Sequence, residues 1–186
     1  MGQYLKQADI ALQDLDLGRN HISDAGLKSL SLALKENRSI KFLNLSSNKI
    51  KEESMSDLVD LLSTNTILEE LSLGGNIISN EGISTLSKFL RANQTHTQAS
   101  LDISKNSFND VGFDVFARAM GSNSGISFLD ISKNKDISDE GSLTTLVEAL
   151  VTNETLRILD LSGLQIRKPF LKIHFDVALQ KNITLQ

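Results

Sequence analysis

Leu15-Asp16-Leu17-Gly18-Arg19-Asn20-His21-Ile22-Ser23-Asp24-Ala25-Gly26-Leu27 sets a frame that the rest of the chain repeats. Counted from Leu12, apolar residues stand at positions one, four and six, and Asn at nine: Leu12, Leu15, Leu17, Asn20. The frame returns as Ile40, Leu43, Leu45, Asn48 and as Leu68, Leu71, Leu73, Asn76. It returns again as Gln98, Leu101, Ile103, Asn106, then as Ile126, Leu129, Ile131, Asn134, and lastly as Leu156, Leu159, Leu161, Leu164. The ninth positions lie 28, 28, 30, 28 and 30 residues apart, which makes six units. A period of this size marks a stack of like units, and it outranks any local pattern.

Further columns run in phase. Ile22, Ile50, Ile78, Phe108, Ile137 and Ile166 follow the ninth position. Sets such as Leu58/Leu61/Leu62 and Leu86/Phe89/Leu90 have the i, i+3, i+4 spacing of one helix stripe. Asn37, Asn65, Asn93, Asn123, Asn153 and Asn182 close the units, and Asn tolerates the left-handed backbone that ends many helices. Ser23-Asp24, Asn80-Glu81, Asp110-Val111 and Asp139-Glu140 mark helix starts, where polar side chains accept bonds from free amides. Leu15 and Leu17 alternate with Asp14, Asp16 and Gly18, as in a strand with one apolar face. Each unit is therefore expected to be a short strand, a turn, a helix of about ten residues and a return loop. The Asn after each strand is expected inside, bonded to backbone groups of its own and the next unit. A buried polar ladder of this kind is tolerable only when fully bonded.

The pattern resembles the leucine-rich repeat family, and its length with a full helix is similar to the ribonuclease-inhibitor-like class. The resemblance implies an α/β solenoid, a curved horseshoe arc of about six repeats, with a parallel sheet on the concave face and helices on the convex face. One unit cannot cover its own apolar side, so neighbours must stack. The reading is of one domain over 1–186: a part-helix cap at 1–11, regular repeats at 12–163 and a capping repeat at 164–186. Tyr4 to Ile10 look like the tail of a preceding helix, and Leu185 falls on the first position of a further strand. That suits either a small protein with modest caps or a piece of a longer array. Three units depart from the frame. Extra polar residues bulge the return loop at 94–100, and extra residues follow Asn134 and Gly141. In the last unit Leu164 replaces Asn, while Pro169, Leu171, Phe175, Ala178 and Leu179 suit a closing element.

Composition removes several functions. The 186 residues include no Cys, three His and one Pro, and the net charge is −4. A Cys nucleophile, a Cys-based zinc site and a disulfide framework are excluded. No Lys/Arg block suggests a nucleic-acid groove or a polybasic membrane patch. No apolar run approaches ~18 residues, and neither a secretory signal nor a myristoylation motif is expected from Met1–Lys6. Asp102-x-Ser104-x-Asn106 and Asp130-x-Ser132-x-Asn134 imitate a calcium loop, but Ser107 or Lys135 stands where Gly is needed, and Phe113 or Gly141 where Glu is needed. His21, His96 and His174 occupy different parts of the frame and have no ligand spacing. No nucleophile elbow or phosphate loop occurs. Asn-x-Ser/Thr occurs at Asn37, Asn44, Asn93, Asn153 and Asn182, and four of the five lie at the helix-ending position, which the repeat explains. No cofactor or small-molecule substrate is expected.

Function must then be read from the outward strand positions. Position three supplies Asp14, Phe42, Glu70, Ser100, Phe128 and Ile158. Position five supplies Asp16, Asn44, Ser72, Asp102, Asp130 and Asp160. Position eight supplies Arg19, Ser47, Gly75, Lys105, Lys133 and Gly163. An acidic row beside a partly basic one, with Phe42, Phe128 and Ile158 among them, has the character of a surface that anchors a protein partner. The expectation is a non-catalytic protein-binding module, with Phe42 and Phe128 as anchors and Asp102, Asp130 and Asp160 meeting basic groups; regulation or inhibition of the partner would follow from that binding. The resemblance offers two alternatives. One branch of the class activates a small nuclear-transport GTPase, although no catalytic residue of that kind maps onto this chain. Similar arrays also serve as sensor or regulatory segments in immune receptors, in actin-end capping proteins and in effectors that intracellular bacteria inject into host cells. The Asn, Ser, Lys and Ile content leans towards the last group. The absence of Cys fits a reducing, intracellular compartment, in a host cell if the protein is such an effector.

Overall fold

The computed structural model describes residues 12–92, 99–167 and 170. The expected part-helix within 1–11, the loop residues 93–98 with His96, and the closing residues Pro169, Leu171, Phe175, Ala178, Leu179 and Asn182 lie outside that set.

Three residues of each unit form a strand: β1 (Asp14–Asp16), β2 (Phe42–Asn44), β3 (Glu70–Ser72), β4 (Ser100–Asp102), β5 (Phe128–Asp130) and β6 (Ile158–Asp160). They lie side by side in chain order, and every neighbouring pair is parallel. Leu15, Leu43, Leu71, Leu101, Leu129 and Leu159 face one another in register, so like positions form continuous rows. Backbone bonds continue past the strands: Leu17 N donates to Asn44 O and Arg19 N to Ser46 O, both at 2.8 Å. The chain then leaves the sheet at position eight through left-handed backbone. Arg19, Ser47, Gly75, Lys105, Lys133 and Gly163 have φ of 57°, 54°, 70°, 55°, 59° and 74°. Only Gly takes that conformation without a steric cost. The closing Asn column, where left-handed backbone is expected, has no residue of positive φ among the described residues.

Helices return the chain: α1 (Asp24–Leu34), α2 (Met55–Thr64, preceded by a 3₁₀ turn at Glu52–Ser54), α3 (Asn80–Ala92), α4 (Asp110–Met120) and α5 (Glu140–Thr152). Strand positions four and six pack against the helix stripes in one continuous core, which runs from Leu27 to Phe170. Phe108, Phe113 and Phe116 are fully buried at its centre. Leu15, Leu17 and Ile22 at one end and Leu159, Leu161 and Ile166 at the other are only partly buried, as expected of end units in a stack. This is the α/β repeat solenoid that the frame implies. Among the described residues no helix is long and apolar enough to cross a membrane.

Two Asn ladders tie the units together. In the first, Asn76 Nδ2 donates to Leu45 O and Leu73 O at 3.0 and 2.9 Å, while its Oδ1 accepts from Ile50 N at 3.1 Å. Asn48 does the same with Leu17 O, Leu45 O and Ile22 N. The ladder thus joins each unit to the preceding one, not to the next as expected. A side chain at position nine leans back over the neighbour already stacked against it. In the second ladder the closing Asn residues are extended, with φ −90° at Asn65 and −77° at Asn153. Their side chains, not their backbone freedom, explain the column. Asn153 Nδ2 donates to Met120 O and Asn123 O at 2.7 and 2.9 Å, and its Oδ1 accepts from Leu156 N at 2.7 Å. Asn65 bridges Leu34 O, Asn37 O and Leu68 N in the same way.

Helix starts are also shared between units. Asn109 caps α4 by accepting from Val111 N, and Asp139 caps α5 by accepting from Ser142 N. Ser23, however, makes no side-chain cap. The first residue of one helix serves the next unit: Asp24 accepts from Lys51 N and Ser54 Oγ, Asn80 from Asn109 N and Gly112 N, and Asp110 from Ser138 N, Asp139 N and Ser142 Oγ. The departures in units five and six explain one another. The extra residue after Asn134 lets Ile137 N donate to Asn134 O at 3.2 Å. The acceptor that an Asn at 164 would supply is no longer needed, and Leu164 packs against the core instead.

A candidate protein-binding face on the strands

The sheet register assembles the outward residues into the rows expected. Row three runs Asp14, Phe42, Glu70, Ser100, Phe128, Ile158, and row five runs Asp16, Asn44, Ser72, Asp102, Asp130, Asp160. Phe42 and Phe128 are half-buried, and Ile158 is 55% exposed beside Phe128. Arg19, Lys105 and Lys133 are exposed at the head of the face. Asp14, Asp16, Phe42, Asn44, Glu70 and Asp102 line a shallow hollow of about 150 Å³ at its first four strands. No side chain beyond the rows already read is needed to build the face.

The acidic row has a structural duty that composition does not reveal. Gly18 N, Ser104 N, Ser132 N and Ser162 N donate to Oδ1 of Asp16, Asp102, Asp130 and Asp160 at 2.8, 2.9, 2.8 and 2.7 Å. Asn44 Oδ1 accepts from Ser46 N at 2.9 Å. Each side chain closes a turn two residues on, which is the habit of Asp and Asn where a chain leaves regular structure. Lateral bonds add to this: Asn44 Nδ2 donates to Asp16 at 2.8 Å, and Ser72 Oγ donates to Asp102 Oδ2 at 2.6 Å. Asp130 and Asp160 each keep Oδ2 without an internal partner among the described residues, and so do both oxygens of Asp14 and Glu70.

The remaining motifs resolve into scaffold. Asp130, Ser132 and Asn134 serve the turn and the ladder, and Asn134 is fully buried. Among the described residues no cluster of His, Cys, Asp or Glu could hold a metal ion. Asn37 and Asn153 are buried ladder members whose side chains are already bonded.

Among the described residues three carboxylates are held below their ordinary range, and all sit on helices. Burial alone would raise Asp24, but bonds from Ser54 Oγ and Lys51 N outweigh it. Asp114 is lowered by the Arg118 guanidinium, 2.9 Å away, and by Thr145. Glu81 is lowered by Ser79 Oγ. One surface feature escaped the sequence reading: Val111 is 69% exposed and Val115 38% exposed on one face of α4. Aligning the units would have found them, because Ala25 and Glu81 match Val111, and Ser29, Thr85 and Thr145 match Val115.

Stacked units of this frame, with strands on one side and helices on the other, make an α/β solenoid of the leucine-rich-repeat type. A family model described as Leucine Rich repeat matches residues 11–31, 36–59 and 64–87, which cover the first three units. Among solved structures, leiomodin-1 Actin-Binding Site 2 aligns with TM-score 0.62 and 16% identity over 98% of this chain and 87% of its own. The tropomodulin C-terminal domain of Caenorhabditis elegans aligns with TM-score 0.55 and 16% identity over 97% and 90%. At that identity the likeness is one of fold. No curated protein matches the chain in sequence.

Proposed function

We propose that the chain is a non-catalytic protein-interaction module that grips a partner protein on its strand face and regulates that partner by occupying it. The observation that carries this reading is the exposed Ile158 beside the half-buried Phe128, next to the half-bonded acids Asp130 and Asp160. Apolar side chains left on an open sheet are favourable only once covered, and aromatic anchors rimmed by charge are the usual centre of a protein interface. The hollow is small and shallow, which suits broad contact better than a small-molecule pocket of about 300 Å³ or more. The lack of Cys supports a place inside the cell.

The test is affinity capture from the source cell with the wild-type chain and with Phe128→Ala/Asp130→Lys. The expected result is a captured protein that the double variant loses. Equal capture by both chains would remove the strand face from the mechanism. The leiomodin domain of similar fold is titled an actin-binding site, so co-sedimentation with actin filaments is the first defined arm.

A further inference from the structure

We infer that the hollow around Phe42 is a receptor for one arginine side chain of the partner. The inference rests on the strand face being the binding surface, and it names the chemistry recognised at one end of it. In register, Phe42 stands between Asp14 on β1 and Glu70 on β3. All three line the hollow. Neighbouring strands lie about 4.8 Å apart, so each carboxylate is one strand spacing from the aromatic side chain. The other two acids of the hollow are engaged: Asp16 accepts from Gly18 N and Asn44 Nδ2, and Asp102 from Ser104 N and Ser72 Oγ. The carboxylates of Asp14 and Glu70 have no hydrogen bond or ion pair among the described residues, and both residues are exposed. Nearby Lys41 does not neutralise them, because its Nζ is held by Glu69 at 2.8 Å. The hollow thus offers an aromatic surface flanked by two uncommitted negative charges.

Size and chemistry select the ligand. About 150 Å³ is well under the ~300 Å³ at which drug-sized pockets begin, and it suits a single long side chain. An aromatic side chain attracts a cation over its face, and guanidinium both stacks on rings and pairs with carboxylates through fixed, planar donors. An ammonium group meets the charges but does not stack in that way. The acidic row, taken alone, would attract any cation; Phe42 between two free carboxylates is what favours arginine.

The probe is a capped pentapeptide, Gly-Gly-Arg-Gly-Gly, titrated against the full chain with the backbone amides of Leu43 and Leu71 followed by NMR. Matched peptides carry Lys or the neutral isostere citrulline. The expected result is saturable shifts at those two amides with Arg, about tenfold weaker binding with citrulline and intermediate binding with Lys. Glu70→Gln and Phe42→Leu should each weaken the Arg peptide several-fold, with urea midpoints near wild type because Glu70 is exposed and Leu preserves apolar volume. Equal binding of Arg and citrulline, or shifts confined to β5 and β6, would overturn the inference. A captured partner that is lost with Phe128→Ala/Asp130→Lys but binds Glu70→Gln unchanged would sink the arginine receptor alone. A partner indifferent to every strand-face variant would sink the broader reading.

Discussion

Replacing Asn76 with Ala isolates what the first ladder contributes. Three bonds are lost, but their consequences differ. Leu45 O still accepts from Asn48 Nδ2 at 3.0 Å, and Leu73 O from Asn106 Nδ2 at 3.1 Å, so both carbonyls stay bonded. Among the described residues Ile50 N has only Asn76 Oδ1 as its acceptor, at 3.1 Å, and Ile50 is fully buried. An orphaned buried amide costs about 1–3 kcal/mol. The void left by the missing amide group adds about 1 kcal/mol. The expected loss is therefore about 2–4 kcal/mol. Asn20 is the control: it is exposed, its Oδ1 accepts no bond among the described residues, and its Nδ2 donates to Gly18 O and to Leu17 O, which Asn48 also serves. Asn20→Ala should cost no more than about 0.5 kcal/mol. Urea unfolding gives both values, with the slope checked because stacked units can uncouple. Amide exchange reports the cause directly: Ile50 should lose protection while Ile78, bonded to Asn106 at 3.1 Å, keeps it. Equal stabilities of the two variants, or an unchanged Ile50 amide, would refute the account of the ladder.

Further outcomes follow from single contacts. A Cβ on Gly112 would lie 2.6 Å from Asn80 Oδ1 and 3.1 Å from Asn80 Cα, so Gly112→Ala should lower stability by about 1–2 kcal/mol despite the better helix propensity of Ala. Gly26→Ala meets only Ile22 and should be close to neutral in the same melts. Ser31 Oγ is buried with no partner, so Ser31→Ala should raise stability by about 1 kcal/mol, whereas Ser87→Ala, which loses a 2.6 Å bond to Ile83 O, should gain nothing. Asp24 has a folded-state pKa below its unfolded value, so its contribution is present above about pH 4 and is lost as pH falls through the folded value. Wild type should exceed Asp24→Asn in stability at neutral pH, with the gap closing in acid unfolding curves.

Much of the fold was legible because repetition shows every rule several times. Position four as the buried strand residue, the helix stripes and the outward rows of Phe42 and Asp130 all followed from phase. Direction was not legible: a recurring Asn76 says that a ladder exists, but not whether its amide leans forward or back. The left-handed column was hidden because Arg19, Ser47, Gly75 and Lys105 share no chemistry, only a backbone demand. The closing Asn residues drew attention by type, yet Asn65 and Asn153 are extended and work through their side chains. At the binding face, residue identities were readable, but which acids were already engaged was not. Asp16 and Asp102 are tied to their neighbours, and Glu70 is not.

Interchangeable rungs carry a hazard of miscounting, since a coil that docks one place early would find almost the same partners. Units five and six guard against it. Set upon the third coil in place of the fourth, the sixth would bring Leu164 where Asn106 belongs and leave the amide of Ile78 unanswered. Only the lengthened turn at Ile137, which answers its own amide, accepts that leucine without penalty. The irregular units are thus matched to each other, and a symmetric repeat at either place would lose that match.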